Sequence, residues 1–469
     1  MKFKTTIITT VILFSTVFIP WVHPYAEYEN FDTNIFKVQK GVPADTAYPK
    51  KAITVLLYGS ARNDLLPFID RNLKQLMQVG TNDNITFLVH LDVFGQGRKK
   101  LTQRYIIMKN YMVKVGDDMS MDSGDPATLL DACSWAFGRF PSDRTMLILW
   151  NHGTGDLEPS FGRAINSIEL FKYNPDNNLI ELNRNIHFFD YLNEQHIKSC
   201  HRGICFDEAT GNYLKNQQVG AVLRTICNTY LQGQPLDMLL CDACLMQGIG
   251  VAGSLKPYGQ TPVARYMVGS QEVVLATGYS YNTMFEKLAS NPQMSNADFA
   301  ANVVQVFSDT YQKITNDYTQ SAINLEAIDP LYASVDHLAK LLIAGLQYET
   351  NRSVHKYIQK SSSNDACTHF EEPTYKDMDH LFSNMLNNLS MITLNNGNDV
   401  QLKNALMQEL INARSLIAQI VISNNAGKNL QNARGISIYL PTRRIDGSYP
   451  NSDFARSNSW LQMLMLYVQ

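Results

Sequence analysis

The chain has 469 residues, 45% of them hydrophobic and 18% charged, which is enough for two domains or for one large domain with appendages. Its net charge is −3, so nothing indicates a polyanion-binding face and nucleic acid is not an expected partner.

The first thirty residues, MKFKTTIITTVILFSTVFIPWVHPYAEYEN, carry Lys2 and Lys4 and then no charged side chain until Glu27. A positive start followed by an apolar stretch reads as a secretory signal peptide over 1–26, cut after Ala26, although Pro24 departs from the usual small-x-small site. An uncleaved membrane anchor is the alternative, since roughly 18 apolar residues can span a bilayer. The interspersed Thr and Ser residues and Pro20 weigh against it. Residues 27–50 then read as a linker or propeptide. No later segment is long and apolar enough to span, so the mature protein is expected to be secreted or otherwise extracytoplasmic, without stable membrane insertion.

Short apolar runs at 52–61, 84–93, 144–155, 236–246, 264–272 and 434–441 read as buried strands ending in small or polar residues. Helical spacing marks 64–80 (DLLPFIDRNLKQLMQVG) and 126–140 (PATLLDACSWAFGRF). Residues 157–201 form a polar insert without a clear period, expected as a surface excursion. Beyond residue 330 the pattern turns helical (330–349, 376–390, 402–423), with SSSND at 361–365 as a loop. The expected architecture is an α/β domain over 51–330 with a mostly parallel sheet flanked by helices. A largely helical C-terminal region, 331–469, carries one late strand near 434–441.

There are seven cysteines: Cys133, Cys200, Cys205, Cys227, Cys241, Cys244 and Cys367. An odd number in an oxidising compartment leaves at least one thiol unpaired, either a buried small hydrophobe or a working nucleophile. The tripeptide Asp-Ala-Cys occurs three times, ending at Cys133, Cys244 and Cys367. Cys133 falls at helical spacing with Leu129, Leu130, Ala136 and Phe137, which assigns it to a helix core. Cys367 lies beside the loop and is expected to be structural or disulfide-bonded, although His369 stands two residues away.

Cys244 differs in standing at the C-terminal end of a buried strand, where open parallel sheets gather their ligands. The helix-like stretch that follows is expected to stabilise a thiolate there through its dipole. Cys241, inside the strand, is expected to face the core. Of ten histidines, His152 closes another strand at the same rim, with Gly153 and Gly155 permitting a sharp backbone turn. A thiol beside an imidazole suits nucleophilic attack on a carbonyl. There is no His-Glu-x-x-His, no Walker loop and no pair of Cys-x-x-Cys motifs at zinc spacing. Ser353–Lys356 matches Ser-x-x-Lys but lacks its companion motifs. No metal site or required cofactor is called for, and calcium is left open.

In this order, ITVLLYGSARNDL, DPATLLDACSWAFGRFPSDRTMLILWNHGTG, RGICFDEATGNYLKNQQVGAVL, LLCDACLMQG, VGSQEVVLATGYSY and GISIYLP resemble the successive landmarks of the clostripain-like cysteine peptidases, a family with the caspase–gingipain fold. The resemblance implies Cys244 as nucleophile, His152 as general base, and the backbone amides of Gly153 and Cys244 as oxyanion donors. It implies Asp242 as the carboxylate at the base of the pocket for an Arg or Lys side chain. Three positions depart from the family pattern: Asn151 replaces a frequent Asp, Asp156 replaces an aromatic, and Gly250 stands where an acid is usual. The implied function is an exported cysteine endopeptidase, monomeric, acting on protein or peptide substrates. The alternatives are a catalytically silent caspase-like module that binds a partner, or another cysteine-dependent acyl transferase. Arg163, Lys172, Arg184 and Lys198 in the insert are sites that such an enzyme could cut in itself.

Overall fold

The strand Lys51–Ser60 (KAITVLLYGS) is buried along its last eight residues, the signature of a strand covered on both faces. It is the second of sixteen strands in a computed structural model that describes residues 30–43, 45–157, 170–183 and 203–469. In chain order these are β1 (Val38–Val42), β2 (Lys51–Ser60), β3 (Ile85–Phe94), β4 (Lys100–Met108), β5 (Tyr111–Met119), β6 (Ser142–Trp150), β7 (Phe171–Asn174), β8 (Leu179–Leu182), β9 (Ile204–Asp207), β10 (Asn212–Leu214), β11 (Leu236–Asp242), β12 (Ala264–Gly269), β13 (Thr319–Asn324), β14 (Tyr375–Asp377), β15 (Val421–Ala426) and β16 (Ser437–Tyr439).

Ten of them form one sheet in the order β1-β5-β4-β3-β2-β6-β11-β12-β13-β15. The centre, β3 to β12, is parallel throughout, and helices lie in the crossovers. The flanks add antiparallel pairs: β3 with β4, β4 with β5, β12 with β13, and β13 with β15. The chain moves from β2 to β3 on one side and later returns to lay β6 on the other, so the topological switch point lies between β2 and β6. In open α/β sheets that is where a crevice opens beyond the strand C-termini. Register makes the crevice specific: Trp150 of β6 is level with Gly59 of β2 and with Asp242 of β11. The loops after these three strands therefore leave the sheet side by side.

The helix Leu66–Val79 shows how the walls are set. Leu66, Ile69, Leu73, Leu76 and Met77 recur at helical spacing and are buried against the sheet. Asn72 on the same face accepts from the Trp150 indole at 2.9 Å and reaches the carbonyl oxygens of Thr277 and Tyr279 at 3.4 Å. One buried amide thus fixes a helix, the end of β6 and a loop after β12.

Three regions differ from the sequence expectation. Within 27–50, β1 pairs parallel with β5 and so belongs to the sheet. The insert 157–201 is not wholly a surface excursion: β7 and β8 form a hairpin that buries Phe171, Ile180 and Leu182, and Ile180 donates to the Ile314 carbonyl at 2.7 Å. The rest of the insert, with Cys200, Arg163, Arg184 and Lys198, lies outside the described residues, as does the leader 1–26. The C-terminal region carries three strands rather than one. β15 extends the main sheet, while β14 and β16 pair with each other, and Ser437 of β16 donates to the Gln247 carbonyl at 3.0 Å. That region is stitched to the sheet and to the loop after β11, not appended to them.

Among the described residues, no helix is long and apolar enough to cross a membrane. Cys133, Cys205, Cys227, Cys241, Cys244 and Cys367 are all buried free thiols, so the disulfide expected as one role for Cys367 does not form.

Candidate active site

The loop after β2, Ser60–Leu65, is anchored by a side chain that has no access to solvent. Arg62 donates through Nε and Nη2 to Asp207 of β9 at 3.1 and 2.5 Å, and lies 3.7 Å from Asp92 of β3. A guanidinium removed from water requires such pairing. Asn63 donates to the Ser60 and Phe206 carbonyls and accepts from the Leu65 amide. Between these two anchored residues and the helix that follows, Asp64 is held at the rim.

Asp64 Oδ1 lies 2.7 Å from Nε2 of His152, two residues past the end of β6. This carboxylate was not singled out in the sequence; its one signal was its place just beyond a buried strand in the Asn-Asp-Leu turn. Asn151 accepts from the Phe206 amide at 2.6 Å, donates through its side chain to the Ser60 carbonyl, and gives its own amide to the Asp242 carbonyl at 3.2 Å. The position needs a donor and an acceptor together, which an amide supplies and an ionised Asp does not. A side chain at Gly153 would sit 2.7 Å from the Cys244 carbonyl oxygen, so only glycine lets the histidine loop pack on the Cys244 turn.

Cys244 follows β11, and Leu245 after it has φ +62°, a left-handed conformation that costs a branched-chain residue energy and turns the chain sharply. The thiol accepts from the Val274 amide at 3.2 Å. It is 5% exposed. Burial pushes the Cys244 thiol up to about 12, and the nearby carboxyls of Glu272, Glu371 and Asp242 act in the same direction. The expected depression by a helix dipole is not found. The helix Ile249–Leu255 starts five residues later, and the Asp156 carboxylate already accepts from its Gly250 amide at 3.2 Å. The departures at 156 and 250 explain each other, because a Cβ at Gly250 would lie 2.4 Å from Asp156 Oδ1.

Asp242 ends β11. Its Oδ2 accepts from the Tyr281 hydroxyl at 2.7 Å and from the Tyr279 amide at 3.4 Å. Burial raises its carboxyl to about 7, partly offset by those two donors. Asp242, His152 and Cys244 line one cavity, walled by Trp150, Leu65 and Val274, and Gly278 faces the Asp242 carboxylate with φ +59°. Of the other candidates, Cys241 is buried in β11 and Cys133 in the helix Pro126–Arg139, as expected. Cys367 and Ser353 lie in the C-terminal region, and neither lines this cavity. Among the described residues, no group of three or more His, Cys, Asp or Glu side chains is placed to hold a metal ion.

The arrangement offers a thiol, an imidazole held by a carboxylate, and a buried carboxyl in one crevice. The sequence is 22% identical to clostripain of Hathewaya histolytica over 320 residues, 63% of this chain and 53% of that protein. The chain therefore spans about half the length of that curated relative. Its fold matches a secreted C11 cysteine protease of Bacteroides thetaiotaomicron, solved with an irreversible peptide inhibitor, at TM-score 0.56 and 16% identity over 87% of this chain and 99% of that one. It also matches an inactive zymogen C11 protease of Parabacteroides distasonis at TM-score 0.54 and 17% identity, over 89% of this chain and 99% of that one. These likenesses establish the caspase-like fold. The Peptidase_C11 family profile covers residues 187–465, a stretch that holds Asp242 and Cys244 and begins after His152. On this profile match, and on the relative found independently of it, the chain belongs to the clostripain family of peptidases.

Proposed function

We propose that this chain is an exported cysteine endopeptidase that cuts peptide bonds after Arg or Lys. The observation that supports it most is the single cavity lined by His152, Cys244 and Asp242 at the end of two adjacent parallel strands. A thiol held near 12 is neutral at working pH, so the reaction does not begin from a standing thiolate. His152 takes the proton as Cys244 Sγ bonds to the scissile carbonyl carbon, and Asp64 orients the ring and stabilises the imidazolium. The backbone amides of Gly153 and Cys244 receive the oxyanion. His152 then passes the proton to the leaving amine, and a water activated by the same imidazole hydrolyses the thioester.

The ammonium or guanidinium of the substrate pairs with Asp242, and its arrival shifts that carboxyl to the ionised form. Export rests on the leader 1–26, with no described helix able to span a membrane. Self-cleavage within 157–201 fits the same specificity. Lys172 is the least suited of the four sites, since it is paired with Glu181 inside the β7–β8 hairpin. Purified protein offered reporter peptides ending in Arg, Lys and Asp tests the reading. Cleavage of the basic pair, lost in Cys244→Ala, is the expected result. A native chain that binds peptides and leaves all three uncut is a silent module.

A further inference from the structure

We propose that Tyr281 sets a preference for Lys over Arg by tethering one oxygen of Asp242, an inference that rests on the basic specificity proposed above. The Tyr281 hydroxyl and the Tyr279 amide both donate to Oδ2, at 2.7 and 3.4 Å. An ionised carboxylate oxygen has two in-plane lone pairs, so these donors fill Oδ2. Neither tyrosine lines the cavity, whereas Asp242 does. The tethered oxygen is therefore turned into the protein, and Oδ1 is the oxygen left to meet a substrate.

Arginine gains its advantage at a carboxylate by matching two N–H donors to two oxygens. A carboxylate with one oxygen to offer forfeits that match and leaves the remaining guanidinium donors in a closed space. The lysine ammonium is a compact point charge that one oxygen suits. The tether is itself fixed. Tyr281 is fully buried, its ring stacks on Phe285 with centroids 6.5 Å apart, and its amide donates to Gln75 at 3.2 Å. Gly278 lies against the carboxylate, where a Cβ would stand 2.6 Å from Oδ2, so only glycine lets the loop come this close, and the Tyr281 hydroxyl is what holds the orientation. Tyr281 is a positioning residue that acts through Asp242.

The experiment compares kcat/KM for matched Lys and Arg reporters in the native protein and in Tyr281→Phe, at a pH well above the Asp242 titration. The native enzyme is expected to favour Lys by roughly tenfold, the worth of one charge-assisted hydrogen bond. The variant frees the carboxyl to rotate, and the ratio should collapse toward parity while Arg turnover rises. Loss of packing alone would lower both rates together. A native enzyme that cuts Arg as well as Lys overturns the inference and leaves basic specificity standing; one that cuts neither overturns both. An unchanged ratio in Tyr281→Phe also overturns it. Competition by butylamine and butylguanidine against the native enzyme needs no variant: tighter inhibition by butylamine supports the tether, and tighter inhibition by butylguanidine refutes it.

Discussion

Cys244 and Cys367 end the same tripeptide, are both buried, and have thiols that burial pushes up to about 12 in both cases. Neither composition nor acidity separates them. Position does. Cys244 leaves β11 at the rim, is followed by a left-handed residue, and shares a cavity with His152. Cys367 follows the helix Ser353–Ser362, gives its amide to the Ser363 carbonyl at 2.8 Å, and turns its thiol toward the Thr368 carbonyl. The nearby His369 places Nδ1 3.2 Å from the Cys367 carbonyl oxygen, so that contact is to backbone and not to the thiol. The proposed nucleophile is distinguished by the strand end that presents it and by the imidazole that shares its cavity.

The sharpest break of that comparison is substitution of each cysteine. Cys244→Ala should lower kcat/KM on basic reporters by about 10⁴-fold or more. Cys367→Ala should leave it nearly unchanged and lower stability by about 1 kcal/mol, read from thermal unfolding. Next in size is Asp242→Asn, which removes one partner of the charge pair proposed with a basic substrate. A loss of about 2–5 kcal/mol in transition-state binding is expected for basic substrates, against little change for a neutral reporter. Asp64→Asn keeps the shape and removes the charge at His152, so kcat should fall about 10–100-fold with KM little altered.

Smaller effects follow from protonation. Asp242 has a folded-state value raised to about 7, so its carboxyl is neutral below that pH. kcat/KM for basic reporters should climb as pH rises through about 7, and Asp242→Asn should abolish that limb. Stability moves the opposite way: a raised carboxyl favours the fold at low pH, and the contribution is lost as pH rises from the unfolded value of about 4 through about 7. With a thiol near 12, inactivation of the empty enzyme by iodoacetamide should rise with pH without a plateau in the neutral range. The smallest expected effect is Asp156→Ala, which uncaps the helix Ile249–Leu255 at a cost of about 1 kcal/mol.

The central strands could be read from sequence because burial on both faces leaves near-continuous apolar runs, as in β2, β3, β6 and β11. The flanking strands could not. β5 buries only Met112 and Val115, without a regular period, and the tight turn before it is made by Asn110 at φ +68°, with no glycine to announce it. β15 follows the helix Asp399–Ile420 without a break, so the helical period appeared to run on through Val421 and Ile422. The β7–β8 hairpin was lost in a polar stretch, although Asn-Pro-Asp-Asn-Asn between alternating apolar residues is a turn signal. At the site, Cys244 and His152 could be singled out because each stands where a buried run ends, and Asp242 because of the family resemblance; the structure places the three around one cavity. Asp64, Tyr281 and the Asp156–Gly250 contact could not be singled out, since each depends on which loops the sheet register brings together.

The most direct test of the account uses a peptidyl-lysine chloromethyl ketone, with the adduct mapped by mass spectrometry after digestion. A single adduct on Cys244 Sγ is expected, absent in Cys244→Ala, slowed in His152→Ala and unaffected in Cys367→Ala. An adduct on Cys367 or Cys133, or cleavage of basic reporters by a protein whose Cys244 remains unlabelled, would contradict it.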